Sequence, residues 1–376
     1  MDRIGILFLT NWLPVGGFET HLLSIVRKLD KESFHPVLCC LKDGGPLEEE
    51  FRATGIPVYT RLQRHRLDPM GLVRLVRIMK RERIHLLDTD VMRNTILLGT
   101  LAARVAGVRA AVVSVHLVVR VERPGIIEWP ARMVMGRIDR VIALFEDHRK
   151  QLVDEERVDP EKVIVLPNGV DTEQFSPRAP RADLREELGI PGDSPVAAIV
   201  ASLLPLKRHA LFFEAAAKVL EMQRNAHFLV IGEGPEREHL ETQVREMGLD
   251  SAVHFLGRRR DMPDLLTIID VNVLSSHWEA APISALEAMA CGIPTVSTRV
   301  GAMPEMVVDG ETGFLVDVGD GTELAQAIAR LMGNPALRKK TGEASRRRAE
   351  ETYSMDKVTR RRENVYRELV KQKTES

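Results

Sequence analysis

Two carboxylates, Glu279 and Glu287, stand eight positions apart. The residues between them read as a loop carrying Pro282 that runs into a helix led by Ser284. At about 3.6 residues per turn, an acid in the loop before a helix and a second acid a turn inside it can face the same crevice. Ionised carboxylates suit hydroxyl-rich ligands, because one carboxylate can accept from two vicinal hydroxyls at once. One of the pair could hold a sugar and the other a ribose. Peptide N–H groups around Ala281 to Ser284 would add unpaired donors at the helix start, suited to a phosphate or a sugar oxygen. With 28% charged residues in the chain, the same spacing also occurs on solvated helix faces, so context must decide.

Other chemistry-bearing positions fall at the ends of apolar runs, where open α/β sheets place their ligand crevice. Val112 to Val115 ends in His116, and Ile4–Leu9 leads to Gly16-Gly17 ahead of a helix carrying Leu22, Leu23, Ile25, Val26 and Leu29. A glycine pair at such a turn lets amides approach a phosphate with no Cβ in the way. Val196 to Ala201 ends at Ser202, with Lys207-Arg208 five residues on. A lysine there can clamp a diphosphate, whereas the next residue on a helix would point about 100° away. Phe228–Ile231 leads to the glycine turn at Gly232, and Val253–Gly257 to Arg258. The absence of G-x-G-x-x-G argues against a nicotinamide dehydrogenase. Asp88-Thr89-Asp90 has the D-x-D spacing of a metal site but reads as a strand-end turn.

A chain of 376 residues exceeds what one core serves, so two domains are expected. Alternating strand and helix patterns predict doubly wound sheets in both. The first domain spans 1–172, a linker rich in Pro177, Pro180, Pro191 and Gly192 covers 173–194, the second domain spans 195–354, and a terminal helix follows over 355–376. Lys and Arg number 53 against 54 Asp and Glu, which gives no global drive toward nucleic acid or an anionic membrane.

Locally, Arg61 to Arg83 holds eight basic residues and two acidic ones. That stretch suits an amphipathic surface facing anionic lipid or an anionic acceptor, or else an ordinary solvated face. Arg346–Arg348 and Arg360–Arg362 read as exposed helix surface. Cys39, Cys40 and Cys291 supply neither a disulfide framework nor zinc ligands, which fits a reduced, cytoplasmic compartment. Met1-Asp2-Arg3 runs into the first strand without signal-peptide order. The most apolar stretch, Thr95 to Val119, is broken by Arg104 and Arg109, so no spanning helix is expected.

The run Ser275 to Val296 reads S-S-x-x-E-x7-E-A-M-A-x-G-x-P-x-V. Together with Pro167-Asn168-Gly169-Val170-Asp171, Gly232–Pro235, Gly301–Glu305 and Glu311–Val316, it resembles the retaining glycosyltransferases of family 4. The resemblance implies the GT-B fold: α/β, two Rossmann-like doubly wound parallel-sheet domains facing across a cleft, with the terminal helix crossing back to the first. It implies a nucleotide diphosphate sugar donor, UDP- or GDP-linked, with no other cofactor and no metal. Glu287 would bind the ribose, and Glu279 with the backbone of Ala281, Pro282 and Ile283 the sugar. Lys207 would take the diphosphate, Gly16 and Gly17 would approach the donor, and Gly232 and Arg258 would lie near the nucleotide. His116, Glu279 and Lys207 would act in catalysis.

The chain departs from the family's G-R-L-x-x-x-K, having Ala201-Ser202-Leu203 in place of G-R-L. One expected cation is missing, and Arg208 is a candidate replacement. No carboxylate nucleophile is evident in the first domain. The resemblance therefore implies same-face substitution, in which the leaving phosphate takes the acceptor proton. A glycan, a lipid-linked molecule or a small metabolite stays open as acceptor, with Leu117 to Arg137 suited to lining the acceptor side. Nucleic acid is not expected as a partner, peripheral contact with an inner membrane face stays open, and a monomer or weak homodimer is expected. Two alternatives remain. One is a nucleotide-sugar epimerase of the same fold, which would need acid/base carboxylates in the first domain. The other is a weakly catalytic binding subunit, suggested by Ser202.

Overall fold

The computed structural model describes residues 3–65, 68–116 and 129–375. It divides into two compact units, Met1–Gly169 with Met355–Ser376, and Val170–Ser354. Among the described residues, the first unit holds a seven-stranded sheet ordered β3-β2-β1-β4-β5-β6-β7, every pair parallel. Its strands are β1 (Ile4–Thr10), β2 (Phe34–Cys40), β3 (Val58–Tyr59), β4 (Ile84–Asp90), β5 (Ala110–Ser114), β6 (Arg140–Ala143) and β7 (Val163–Val165). The helices between them are α1 (Gly17–Lys28), α2 (Glu48–Ala53), α3 (Pro69–Arg81), α4 (Arg93–Ala106), α5 (Trp129–Met135) and α6 (Glu146–Asp154). Strand order reverses beside β1, the arrangement the alternating pattern predicts.

Local chemistry sets the helix ends. Asp68 caps α3 by accepting from the Met70 N–H, with Pro69 at the first helical position, where its missing N–H costs nothing. Gly107 closes α4 in the left-handed conformation. Two cores cover the two faces of the sheet. One packs Leu75, Ile78, Met79, Ile96 and Leu152 of α3, α4 and α6. The other packs Leu22, Ile25 and Phe51 of α1 and α2 with Tyr366 and Leu369 of the terminal helix α15 (Met355–Glu375), numbered here in advance of the second unit's α7–α14.

The second unit holds, among its described residues, a six-stranded parallel sheet ordered β10-β9-β8-β11-β12-β13. Its elements run α7 (Ala182–Glu187), β8 (Val196–Val200), α8 (His209–Met222), β9 (His227–Ile231), α9 (Arg237–Glu246), β10 (Val253–Gly257), α10 (Met262–Leu265) and β11 (Val271–Leu274). There follow α11 (Ile283–Ala290), β12 (Thr295–Thr298), α12 (Met303–Met306), β13 (Gly313–Val316), α13 (Gly321–Met332) and α14 (Pro335–Arg348). Both units are therefore Rossmann-like parallel-sheet domains, as the pattern indicated.

Three expectations fail locally. Asp88-Thr89-Asp90 is not a turn but the buried end of β4. Arg362 is not on an exposed face: it is buried on the apolar side of α15, where its guanidinium donates to Asp88 at 2.7 Å and to Ser114 at 3.2 Å. Tyr366 donates to the same Asp88 carboxylate at 2.5 Å. Nor are Arg346 and Arg348 simply solvated. They donate to carbonyls, Arg346 to those of Thr172, Phe175 and Ala290, and Arg348 to those of Glu305 and Met306. Arg66 and residues 117–128, which include most of the stretch expected to line the acceptor side, lie outside the described residues.

Candidate active site

In the second unit the sequence-predicted residues gather at the carboxyl ends of β8, β9 and β11. After β8 the chain makes a single turn of 3-10 helix, Pro205–Lys207, and Arg208 follows at φ 52° before α8 begins. Arg208 is thus not a helical neighbour of Lys207, and the argument that their side chains must diverge by a helical step does not apply. Ser275, just past β11, donates its hydroxyl to the carbonyls of Lys207 and Arg208, both at 3.0 Å, and the His277 N–H donates to the Leu206 carbonyl at 2.9 Å. These bonds lock the cation-bearing turn to the loop that carries Glu279.

Lys207 and Glu279 are direct partners, with Nζ 2.6 and 2.7 Å from the two carboxylate oxygens. Glu279 is only 5% exposed and also accepts from the Ser276 hydroxyl at 2.7 Å. Thr298, at the end of β12, donates to the Ser276 carbonyl at 2.6 Å. Sequence reasoning treated the lysine and the glutamate as separate ligand groups and overlooked Ser276 and Thr298, although Ser276 is the second serine of the signature. Arg208 is exposed and makes no ion pair among the described residues, and Ser202 is likewise exposed.

Glycines bring the surrounding turns close. A Cβ on Gly232, at φ 147°, would fall 2.0 Å from the Ala201 carbonyl oxygen, and one on Gly234 would fall 2.3 Å from that of Leu203. The loop after β9 therefore packs against the loop after β8 only without side chains. Arg258, following β10, is exposed.

Helix α11 begins at Ile283 with Pro282 as its N-cap and no side-chain cap, one residue ahead of the expected Ser284. Pro282 has no N–H. The donors left without an intrahelical acceptor are those of Ile283, Ser284 and Ala285, while Ala281 already has a partner. Glu287, one turn in, is half-buried, and burial alone pushes its carboxyl up to about 8. No hydrogen bond joins Glu287 to Glu279. The two acids thus differ in surroundings: Glu279 is matched by Lys207, whereas Glu287 is desolvated and has no ion pair among the described residues.

In the first unit His116 follows β5, its ring 4.3 Å from that of Phe18 and 6.4 Å from that of His21. Burial above all, then the proximity of His21, Arg362 and His148, drives His116 well below its ordinary value, so it is neutral at pH 7. His21 is pushed down to about 3 by burial and by Arg362, and its Nε2 accepts from the Gly169 N–H at 2.9 Å. Gly16 caps α1 and Gly17 begins it. The turn is not bare, however, because a Cβ on Gly16 would lie 2.6 Å from a Glu19 carboxylate oxygen.

Burial and the nearby Asp90 push Glu19 up to about 7, and burial pushes Asp90 up to about 6. Asp90 accepts from the Met92 N–H at 3.0 Å and from the Thr10 and Thr95 hydroxyls. Acidic groups therefore do occur in the first unit. Sequence reasoning overlooked them because Asp90 was read into a turn and Glu19 was assigned no role.

Comparison with known proteins decides what this arrangement belongs to. Residues 15–174 match Glycosyltransferase Family 4 and residues 180–348 match Glycosyl transferases group 1. The UDP-Gal:alpha-D-GlcNAc-diphosphoundecaprenol alpha-1,3-galactosyltransferase of Escherichia coli is 30% identical over 336 residues, covering 86% of each chain. The chain belongs to glycosyltransferase family 4. It is a glycosyltransferase. The D-inositol 3-phosphate glycosyltransferase of Kineococcus radiotolerans is 31% identical over 268 residues, 63% of this transferase and 61% of that protein.

Among solved structures, Anabaena HepE in complex with UDP superposes with a TM-score of 0.83 at 21% identity, covering 96% of this chain and 99% of that one. A glycosyltransferase from Rickettsia africae gives 0.85 at 19% identity, covering 99% and 100%. These likenesses place the transferase in the GT-B fold. No described helix is long and apolar enough to cross a membrane.

Proposed function

We propose that this transferase moves a hexosyl group, with retention and without a metal, from a UDP-sugar to a sugar carried on a lipid diphosphate. The supporting observation is the Escherichia coli galactosyltransferase, whose name specifies that donor and acceptor class, matched over 86% of both chains. In the second unit, Glu287 would accept from the ribose hydroxyls, and Lys207 and Arg208 would meet the diphosphate. Glu279 and the Ile283 and Ser284 amides would orient the hexose, with Gly232 and Arg258 beside the nucleotide. In the first unit, neutral His116 would donate to a hexose hydroxyl, which an imidazole can do without bringing a charge near the oxocarbenium-like carbon.

The bond from the anomeric carbon to the diphosphate oxygen breaks as the acceptor oxygen attacks from the same face. The acceptor proton passes to the departing phosphate oxygen. Cations on the diphosphate are the main source of rate, because negative charge grows there in the transition state. GDP-linked donors are the runner-up, since a base held through backbone groups leaves little mark on side chains.

The test is incubation of the purified enzyme with UDP-galactose, UDP-glucose and GDP-mannose, each with a polyprenyl diphosphate N-acetylglucosamine acceptor, in EDTA. A gain of one hexose by mass from a UDP-sugar, with an α-anomeric signal by NMR, supports the reading. Transfer only from GDP-mannose, an inverted anomer, or dependence on an added divalent cation overturns the corresponding part.

A further inference from the structure

Three consecutive helices of the first unit, α3, α4 and α5, contain no aspartate or glutamate, yet carry Arg74, Arg77, Lys80, Arg81, Arg93, Arg104 and Arg132. With 54 acidic residues in 376, a stretch of that length would ordinarily hold about five. The three helices form one layer, α3 packing on α4 and α4 on α5. Their inner sides are in the core, through Leu75, Ile78, Met79, Ile96, Ala102 and Ala103. Acids at the margins are occupied: Asp68 by Arg74, Glu82 by Arg81, His35 and Tyr59, and Glu156 by Arg132. Arg77, Lys80 and Arg104 are exposed and make no ion pair among the described residues. Neighbouring α6 carries Glu146, Asp147 and Asp154 and so bounds the patch, and the opposite layer carries Glu19 and Glu48–Glu50.

The same layer exposes apolar side chains. Of the eight large hydrophobic residues exposed among those described, five lie on or immediately before these helices: Met70, Met92, Leu101 at 48%, Val105 at 54% and Met133 at 68%. Leu101 and Val105 are one helical turn apart with Arg104 between them, so aliphatic groups and cations share one outward stripe.

We propose that the α3–α4–α5 face docks on an anionic lipid bilayer, with Leu101, Val105 and Met133 entering the interfacial region while Arg77, Lys80 and Arg104 meet lipid phosphates. Cations without acids complement a surface of one sign, and protruding aliphatic groups gain free energy only where they leave water. A second copy of the chain fits poorly, because a two-fold interface would press this face against its own cations. Single-stranded nucleic acid would call for aromatic stacking platforms, and the exposed apolar groups here are aliphatic or thioether. The docking face goes beyond the acceptor reading and does not depend on it.

The test is co-sedimentation of the full chain with phosphatidylcholine vesicles, with and without phosphatidylglycerol, across a salt series. Binding only to the anionic vesicles, weakened by salt, is expected. The triple variant Arg77→Gln, Lys80→Gln, Arg104→Gln should partition on the order of 100-fold less, about fivefold per cation. The double variant Leu101→Ser, Val105→Ser should weaken binding while keeping its salt dependence. UDP affinity and melting temperature should be unchanged in both, which separates a failure here from a failure of the catalytic assignment. Equal sedimentation with neutral and anionic vesicles, wild-type binding by the triple variant, or a concentration-dependent dimer lost in the Leu101→Ser, Val105→Ser variant without vesicle binding would each overturn the proposal.

Discussion

Arg208→Gly should make the transferase a weaker binder and no less stable. Arg208 sits at φ 52°, where a side chain costs about 1–2 kcal/mol relative to glycine. Glycine returns about 0.4–1 kcal/mol of this through the greater freedom of its unfolded chain. The net is a gain of between about 0 and 1.6 kcal/mol, at about 2–4 °C in melting temperature per kcal/mol for a unit of this size. Affinity should move the other way. A guanidinium hydrogen-bonded to a diphosphate contributes about 1.5–3 kcal/mol, so UDP binding by calorimetry should weaken by about 10- to 100-fold.

The neighbouring turn is held by bonds to the Arg208 carbonyl and not to its side chain, so the substitution leaves Lys207 in place. UDP affinity within twofold of wild type would refute the assignment of Arg208 as the substitute for the absent arginine at Ser202. A clear loss of melting temperature would refute the claim that the arginine is held there at a conformational cost.

Glu287, pushed up to about 8 by burial, should be largely protonated at pH 7 and lose its proton when ribose hydroxyls donate to it. UDP binding at pH 7 should then release a proton, read as a buffer-dependent heat of binding that disappears in Glu287→Gln. Because its folded value lies above its unfolded one, the stability it contributes is complete below about 4.5 and is lost as pH rises through about 8. Glu287→Gln should therefore flatten the pH–stability profile over that window. His116→Ala should lower kcat more than it weakens UDP binding, and equal losses would contradict its assignment to the hexose. Arg362→Met should destabilise the first unit by about 3–5 kcal/mol in chemical denaturation by leaving Asp88 buried and unpaired, with much of that recovered when Asp88→Asn is added.

The strands of the first sheet and β8 to β11 of the second were legible because parallel strands buried on both faces read as unbroken apolar runs, as in Ile4–Thr10 and Val196–Val200. The signature from Ser275 to Val296 likewise marked its own loop and helix. What could not be read were pairings across long separations. Asp88 and Arg362 are partners 274 positions apart, and nothing local to Asp88-Thr89-Asp90 distinguishes a buried strand end from a turn. A weak signal did exist at the other end: Arg362 falls in line with Val358, Tyr366 and Leu369 on the buried stripe of α15, and a cation in an apolar stripe needs a buried partner. Arg208 was misread for the opposite reason, since its helical neighbourhood is apolar and regular while its own left-handed backbone leaves no trace in residue type.

The pairing of Lys207 with Glu279 alters what each can do for a donor. A carboxylate offers about four lone-pair sites. Lys207 occupies both oxygens and Ser276 one of them again, which leaves room for about one further donor rather than a fan of sugar hydroxyls. The lysine in turn has three protons, so it can keep Glu279 and still present one to a phosphate oxygen, but its charge is then already largely matched. In the family's usual arrangement an arginine beside it would carry the unmatched charge. Here Ser202 cannot, and Arg208 is the nearby cation with no acid partner among the described residues. The charge that the diphosphate needs therefore points to Arg208, whose left-handed backbone is shared by Arg61, Arg83 and Arg157 and so does not by itself mark a ligand residue.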